Sequence, residues 1–215
     1  MQFLLAGISA ALPGAISGNG FVSLPIQAVQ QNRERLSARD NPLVDLNDGY
    51  VVHLIPLGLG TPPQIVMPVI DTGSFDLWVN PNCSTSPEPD ECNRTPPYNP
   101  SLSLTAAVLP DPDQLYSYST GGAVQVLVGF VNDTIKLGAS SVAAVKFGVA
   151  KASKGVSTGI LGIGPNPKLD IGFSDTDGNG GLVAAMVRNK VINSRAYGLA
   201  LESANPKETY GIAGM

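Results

Sequence analysis

The sequence predicts an all-β fold built from antiparallel sheets, arranged as a sandwich or closed and barrel-like, with one or two short helices. Three observations predict it. Glycine and proline number 24 and 18 of 215 residues, so the chain turns often and leaves little room for long helices. Its apolar runs are short and separated by Gly, Asn and Ser turns, which suits antiparallel pairing. Hydrophobic residues reach 43% against 14% charged, enough to bury a core and too apolar for a disordered chain.

The elements follow in chain order. The start, MQFLLAGISAALPGAIS, is a short apolar run ending in small residues, and it reads as a secretory signal peptide over residues 1–18, although without a basic opening. Residues 19–46 read as a propeptide or linker, and QQNRERLSARDNP within them carries Arg33, Arg35 and Arg39 in an otherwise acidic chain. A folded lobe is expected over residues 47–215. It opens with YVVHLIPLGLG, a Gly60-Thr61-Pro62-Pro63 turn and the return strand QIVMPVID, which delivers Asp71 at its end. Further strands are expected at 114–119, 123–130, 133–137 and 143–149, and a helix at Gly181–Asn189.

Composition excludes several functions. The net charge of −4 gives no electrostatic case for binding nucleic acid. No apolar run is long enough to cross a membrane as a helix. Cys83 and Cys92 most simply pair with each other on a secretory route; a zinc site is disfavoured because His53 is the only histidine. Asn82, Asn93 and Asn132 each begin an N-glycosylation sequon, consistent with that route. Asp175-Thr176-Asp177-Gly178-Asn179-Gly180 resembles the start of a calcium loop, but its twelfth position is Met186 where the pattern needs Glu. It reads as a polar turn. His53 reads as an ordinary strand histidine, since no serine lies in G-x-S-x-G. No metal or cofactor is expected.

The chemistry centres on VIDTGSFDLWV, residues 69–79. Gly73 lets the backbone turn sharply after Asp71-Thr72. Backbone N–H groups and the Ser74 hydroxyl can then surround the Asp71 carboxylate and favour its ionised form. Taken alone, D-T-G is a common triplet and reads first as a turn-capping aspartate.

The longer stretch GTPPQIVMPVIDTGSFDLWV resembles the pepsin-like (family A1) aspartic proteases. The resemblance implies one lobe of a bilobal acid protease, with Asp71 as the catalytic aspartate of the first lobe. It implies that Thr72 bonds across the lobe interface, that Ser74 sits beside the carboxylate, and that Trp78 supports a flap tyrosine. Tyr118-Ser119-Thr120-Gly121-Gly122 resembles that flap, with Tyr118 closing over a peptide and Ser119 and Thr120 offering it backbone groups; a glycine-rich hairpin tip suits a mobile lid. Thr158-Gly159-Ile160-Leu161-Gly162-Ile163-Gly164 resembles the buried strand near the active site, with Ile160 lining an apolar subsite. Cys83 and Cys92 lie where the family has its first-lobe disulfide, and Asp76 is implied to be structural. The chain departs from the family pattern at Phe75, Gly122 and Thr158.

The family's chemistry needs two aspartates, and of twelve Asp in this sequence only Asp71 lies in D-T/S-G. Three expectations follow. The chain is the first lobe of a secreted aspartic endopeptidase whose second lobe lies outside it, or it pairs with a copy of itself, or it is a non-catalytic lobe that binds peptides. A peptide or protein substrate is expected in each case.

Overall fold

A computed structural model describes residues 16–18, 20–31, 50–167, 180–199 and 210–213. Within them run fourteen strands and two helices: β1 (Ile16–Gly18), β2 (Phe21–Gln31), β3 (Tyr50–Leu54), β4 (Leu57–Leu59), β5 (Gln64–Val66), β6 (Val69–Asp71), β7 (Leu77–Val79), α1 (Pro89–Cys92), β8 (Ala107–Val108), β9 (Gln114–Ser117), β10 (Gln125–Leu137), β11 (Ser140–Lys154), β12 (Ile160–Gly162), α2 (Gly181–Arg188), β13 (Gly198–Leu199) and β14 (Tyr210–Ala213). The all-β expectation holds. The described strands form one curled sheet in the order β13-β14-β2-β3-β6-β12-β7-β11-β10-β4-β5, with β1 on β2 and with β8 and β9 on β10.

The long hairpin β10–β11 is the spine. It turns through Gly138-Ala139, where Gly138 has φ 60, a left-handed value that glycine adopts without strain. Inward positions Val126, Val128, Val131, Ile135 and Leu137 alternate with partly exposed ones, as a half-buried strand requires. The sequence suggested two strands here, broken near Asn132-Asp133. Instead the strand runs through, with a register shift between Asp133 and Ile135.

Residues 21–31, read from sequence as part of a propeptide or linker, form β2, which pairs antiparallel with β3 and β14. Its inward Val22, Leu24 and Ile26 are buried. The expected hairpin around residues 60–63 is β4–β5, whereas β6 leaves it and pairs with β3 and β12. Two short pairings are parallel, β12 with β6 and β11 with β7. Both flank the Asp71 turn.

The main core gathers Ile55, Leu57, Leu77, Ile135, Phe147 and Leu161 among others, and α2 lays Leu182, Ala185 and Met186 against it. Asn189 ties the end of α2 to β11: its amide donates to the carbonyls of Ala185 and Ala143 at 2.8 and 3.1 Å, and its carbonyl accepts from the Ala143 N–H at 3.1 Å. A smaller cluster of Trp78, Val126 and Val128 packs with Tyr116, Val156 and Ile160. Cys83 and Cys92 are disulfide-bonded. The calcium-like stretch at 175–179 and residues 1–15 of the signal-peptide reading lie outside the described residues, while its last three residues, 16–18, form β1.

Candidate active site

Asp71 is the last residue of β6, and its backbone is fixed on both sides. Gly162 of β12 lies opposite it in parallel register, and the Ile163 N–H donates to its carbonyl at 2.8 Å. The chain then turns. The Gly73 N–H donates to Asp71 Oδ1 at 2.8 Å, and the Ser74 hydroxyl donates to Oδ2 at 2.6 Å. Each carboxylate oxygen therefore has its own donor. Thr72 and Gly73 are exposed and Asp71 is half-buried, so the carboxylate is held firmly at an accessible rim.

Glycines set the frame around this turn. A Cβ on Gly162 would stand 2.6 Å from the backbone nitrogens of Phe75 and Asp76, and one on Gly164 would stand 2.3 Å from the Thr72 carbonyl oxygen. Backbone thus packs directly on backbone. The Gly162 and Gly164 N–H groups use that approach to donate to the Asp76 and Ser74 carbonyls, both at 2.8 Å. Gly181, at φ 78, begins α2 against the Phe75 carbonyl, which a Cβ there would meet at 2.2 Å.

After the turn, β7 carries Trp78 into the smaller cluster. Its Nε1 donates to the Tyr118 hydroxyl at 2.6 Å, with ring centroids 6.3 Å apart. Tyr118 is 42% exposed, just beyond β9, which ends at Ser117 rather than at the expected residue 119. Burial, the largest cause, together with the nearby Asp71 and Asp76 carboxylates, pushes its phenol up to about 12, against the lowering effect of the Trp78 bond. The hairpin tip is a single turn over Thr120–Gly122, with Gly121 at φ 79 and Gly122 at φ 69. Ser119 supports it, its hydroxyl accepting from the Val124 N–H at 3.0 Å. Gly122, where the family usually has serine, is explained by its left-handed φ and by Gln125, whose Nε2 would lie 2.9 Å from a Cβ. Ile160, paired with Trp78 across β12 and β7, is half-buried on the same side.

Of the residues singled out in the sequence, the structure joins Asp71, Gly73 and Ser74 in one turn and Trp78 with Tyr118 in a second contact. Sequence reasoning missed Tyr116, whose hydroxyl donates to Asp76 Oδ2 at 3.0 Å. Tyr116 stands two residues before Tyr118, hence on the same side of an extended chain, and that spacing was the available signal. His53 lies in β3 opposite Ala28. Asn82 and Asn93 are exposed; Asn132 lies within β10 between Lys146 and Ala107, and its Oδ1 is buried with no hydrogen-bond partner. Among the described residues no cluster of His, Cys, Asp and Glu could hold a metal ion.

A curled β lobe that carries a D-T-G-S aspartate and a tyrosine-bearing hairpin is the architecture of an acid protease lobe. The sequence profile of eukaryotic aspartyl proteases matches residues 52–214, and the chain belongs to that family. It is 38% identical over 160 residues to the probable aspartic-type endopeptidase opsB of Aspergillus fumigatus, covering 73% of this chain and 32% of that protein. The opsB of Aspergillus oryzae is 32% identical over 194 residues, covering 88% and 39%. The acid extracellular protease of Yarrowia lipolytica is 28% identical over 217 residues, covering 95% and 51%. The chain thus spans about a third to a half of the length of these relatives.

Proposed function

We propose that this chain is the first catalytic lobe of an aspartic endopeptidase, with Asp71 supplying one of two carboxylates that hydrolyse a peptide bond. The observation that carries this reading is the Asp71 carboxylate, held in the D-T-G-S turn with one donor per oxygen. In the reaction one carboxylate takes a proton from water while the other, protonated, polarises the scissile carbonyl. No covalent intermediate is needed. Thr72, exposed at the turn, is placed to bond to an equivalent turn, and the second carboxylate comes from a second lobe. The greater length of the relatives leaves room for one. Ser119, Thr120 and Gly121 would bond the peptide through the flap backbone, and Ile160 would line an apolar subsite.

We place the protein on the secretory route, in keeping with the name of the Yarrowia relative. Residues 1–18 act as the signal peptide and 19–46 as the propeptide of a zymogen. Asn82 and Asn93 are the better glycan acceptors because both are exposed, whereas Asn132 is half-buried.

The test is hydrolysis of a denatured protein at acidic pH by the enzyme containing this lobe, with a pepstatin-type inhibitor and the Asp71→Asn variant. Inhibition, and loss of turnover in the variant, are expected. Turnover that survives Asp71→Asn would remove Asp71 from the chemistry. Activity of the chain alone that sediments as a dimer would replace the second lobe with a second copy. Peptide binding without turnover, unchanged in the variant, would make this a binding lobe.

A further inference from the structure

The flap hairpin has little to hold it down. β9 pairs only with β10 among the described strands, and of its four residues only Tyr116 is not exposed. Leu115 beside it is 54% exposed. Beyond β9, Tyr118 reaches the β7 segment through the Trp78 bond. The two tyrosines sit side by side, with ring centroids 6.5 Å apart and planes at 35°.

We infer that Tyr116 and Asp76 form a second anchor for the flap, independent of the Trp78–Tyr118 bond, which makes Asp76 a positioning residue for the lid. The proposal deepens the protease reading and rests on it for the identity of the lid. The geometry is specific. Asp76 is half-buried, and the hydroxyl of Tyr116 donates to its Oδ2 at 3.0 Å. Its backbone is fixed separately, by the Gly162 N–H on its carbonyl. The bond therefore joins the lid to the one stretch of chain that the glycine frame immobilises. Burial and the Asp76 charge hold the Tyr116 phenol far above its ordinary range, so the hydroxyl keeps its proton to donate. Lys146, the other charge acting on Asp76, is already engaged by Asp111 at 2.5 Å and stacked over Phe130. With both anchors made, β9 is pinned at two points two residues apart, which fixes its roll as well as its height over Asp71. One anchor alone would leave the hairpin free to pivot.

The chain carries its own reporter, because Trp78 is its only tryptophan and lies under the lid, 1% exposed. The experiment is acrylamide quenching of Trp78 emission in the full chain, which needs no substrate and therefore stands or falls apart from the protease assignment. Tyr116→Phe, which removes only the hydroxyl, is expected to raise the open-lid population about fivefold, the change that losing one hydrogen bond produces, and to raise quenching accordingly. Asp76→Ala should match it, and the double variant should show no further increase, since both remove the same bond. Asp76→Asn retains an acceptor and should stay near wild type, which separates lid positioning from general loosening. Should Asp76→Ala fail to fold, Tyr116→Phe and Asp76→Asn still decide the matter. Wild-type quenching in Tyr116→Phe, or quenching in Asp76→Asn as high as in Tyr116→Phe, would overturn the proposal.

Discussion

Asp76 and Asp133 are both acidic side chains withdrawn from water, one near each end of β10, and the protein treats them in opposite ways. Asp133 is 1% exposed and saturated with donors. The Tyr98 hydroxyl reaches its Oδ2 at 2.7 Å, while the Thr105 hydroxyl and the Thr134 N–H reach Oδ1 at 2.5 and 2.7 Å. Burial works against its charge, yet the bonds from Thr105, Tyr98 and Thr134 outweigh it and hold its carboxyl below the usual carboxylate range. Asp76 has the single bond from Tyr116. There burial wins over that bond and the Lys146 charge, and its carboxyl is raised. The difference separates a carboxylate saturated by the scaffold from one that meets a single hydroxyl on a largely exposed hairpin.

The largest expected effect is at the scaffold end. Asp133→Ala strands the Tyr98 hydroxyl and the Thr134 N–H and removes the Thr105 bond, and should cost about 3 kcal/mol in urea unfolding. Asp76→Ala strands only the Tyr116 hydroxyl, beside the partly exposed flap, and should cost about 1 kcal/mol; equal losses would erase the comparison. Gly162→Ala probes the ground between them. Its Cβ meets Phe75 and Asp76 backbone at 2.6 Å, so the turn must shift, at about 2 kcal/mol in thermal unfolding with a change in Trp78 emission. Tyr98→Phe keeps the ring, which packs edge-on to Phe147 at 5.4 Å, and removes one of the Asp133 bonds, for about 1 kcal/mol.

The smallest effect is on the pH dependence of stability, where the two residues act with opposite sign. The lowered carboxyl of Asp133 contributes stability that is present above its ordinary value of 3.8 and is lost as pH falls through the folded value. The raised carboxyl of Asp76 contributes stability present below 3.8 that is lost as pH rises through its folded value. Denaturant unfolding at intervals from about pH 2 to about pH 7 should show Asp76→Asn losing less stability than wild type as pH rises over the upper part of that range. A wild-type slope in that variant would show that Asp76 does not couple to folding.

The legible parts of the site were those carried by contiguous residues. Asp71, Gly73 and Ser74 interact within three residues of one another, so VIDTGSFDLWV nearly contains its own geometry. The Tyr116–Asp76 and Tyr98–Asp133 bonds span 40 and 35 residues, and no local pattern announces them. The same blindness split β10. The expected strands at 123–130 and 133–137 left Val131-Asn132 as a gap, and donors from Tyr98 and Thr105, brought in from distant loops, let Asp133 point inward within one continuous strand. β2 was missed for the converse reason: Val22, Leu24 and Ile26 alternate as a strand should, but in a stretch whose charged continuation suggested a linker.

The turn at residues 71–76 is located by main-chain contacts: the Gly162 and Gly164 N–H groups beneath it, Gly181 behind it, and β12 alongside. None of these depends on which side chain residue 71 carries. The position is therefore a socket, a seat of fixed coordinates whose occupant can be exchanged. Asn placed there should leave the backbone of the turn where it is, so the side chain at residue 71 can be exchanged without rebuilding the architecture around it.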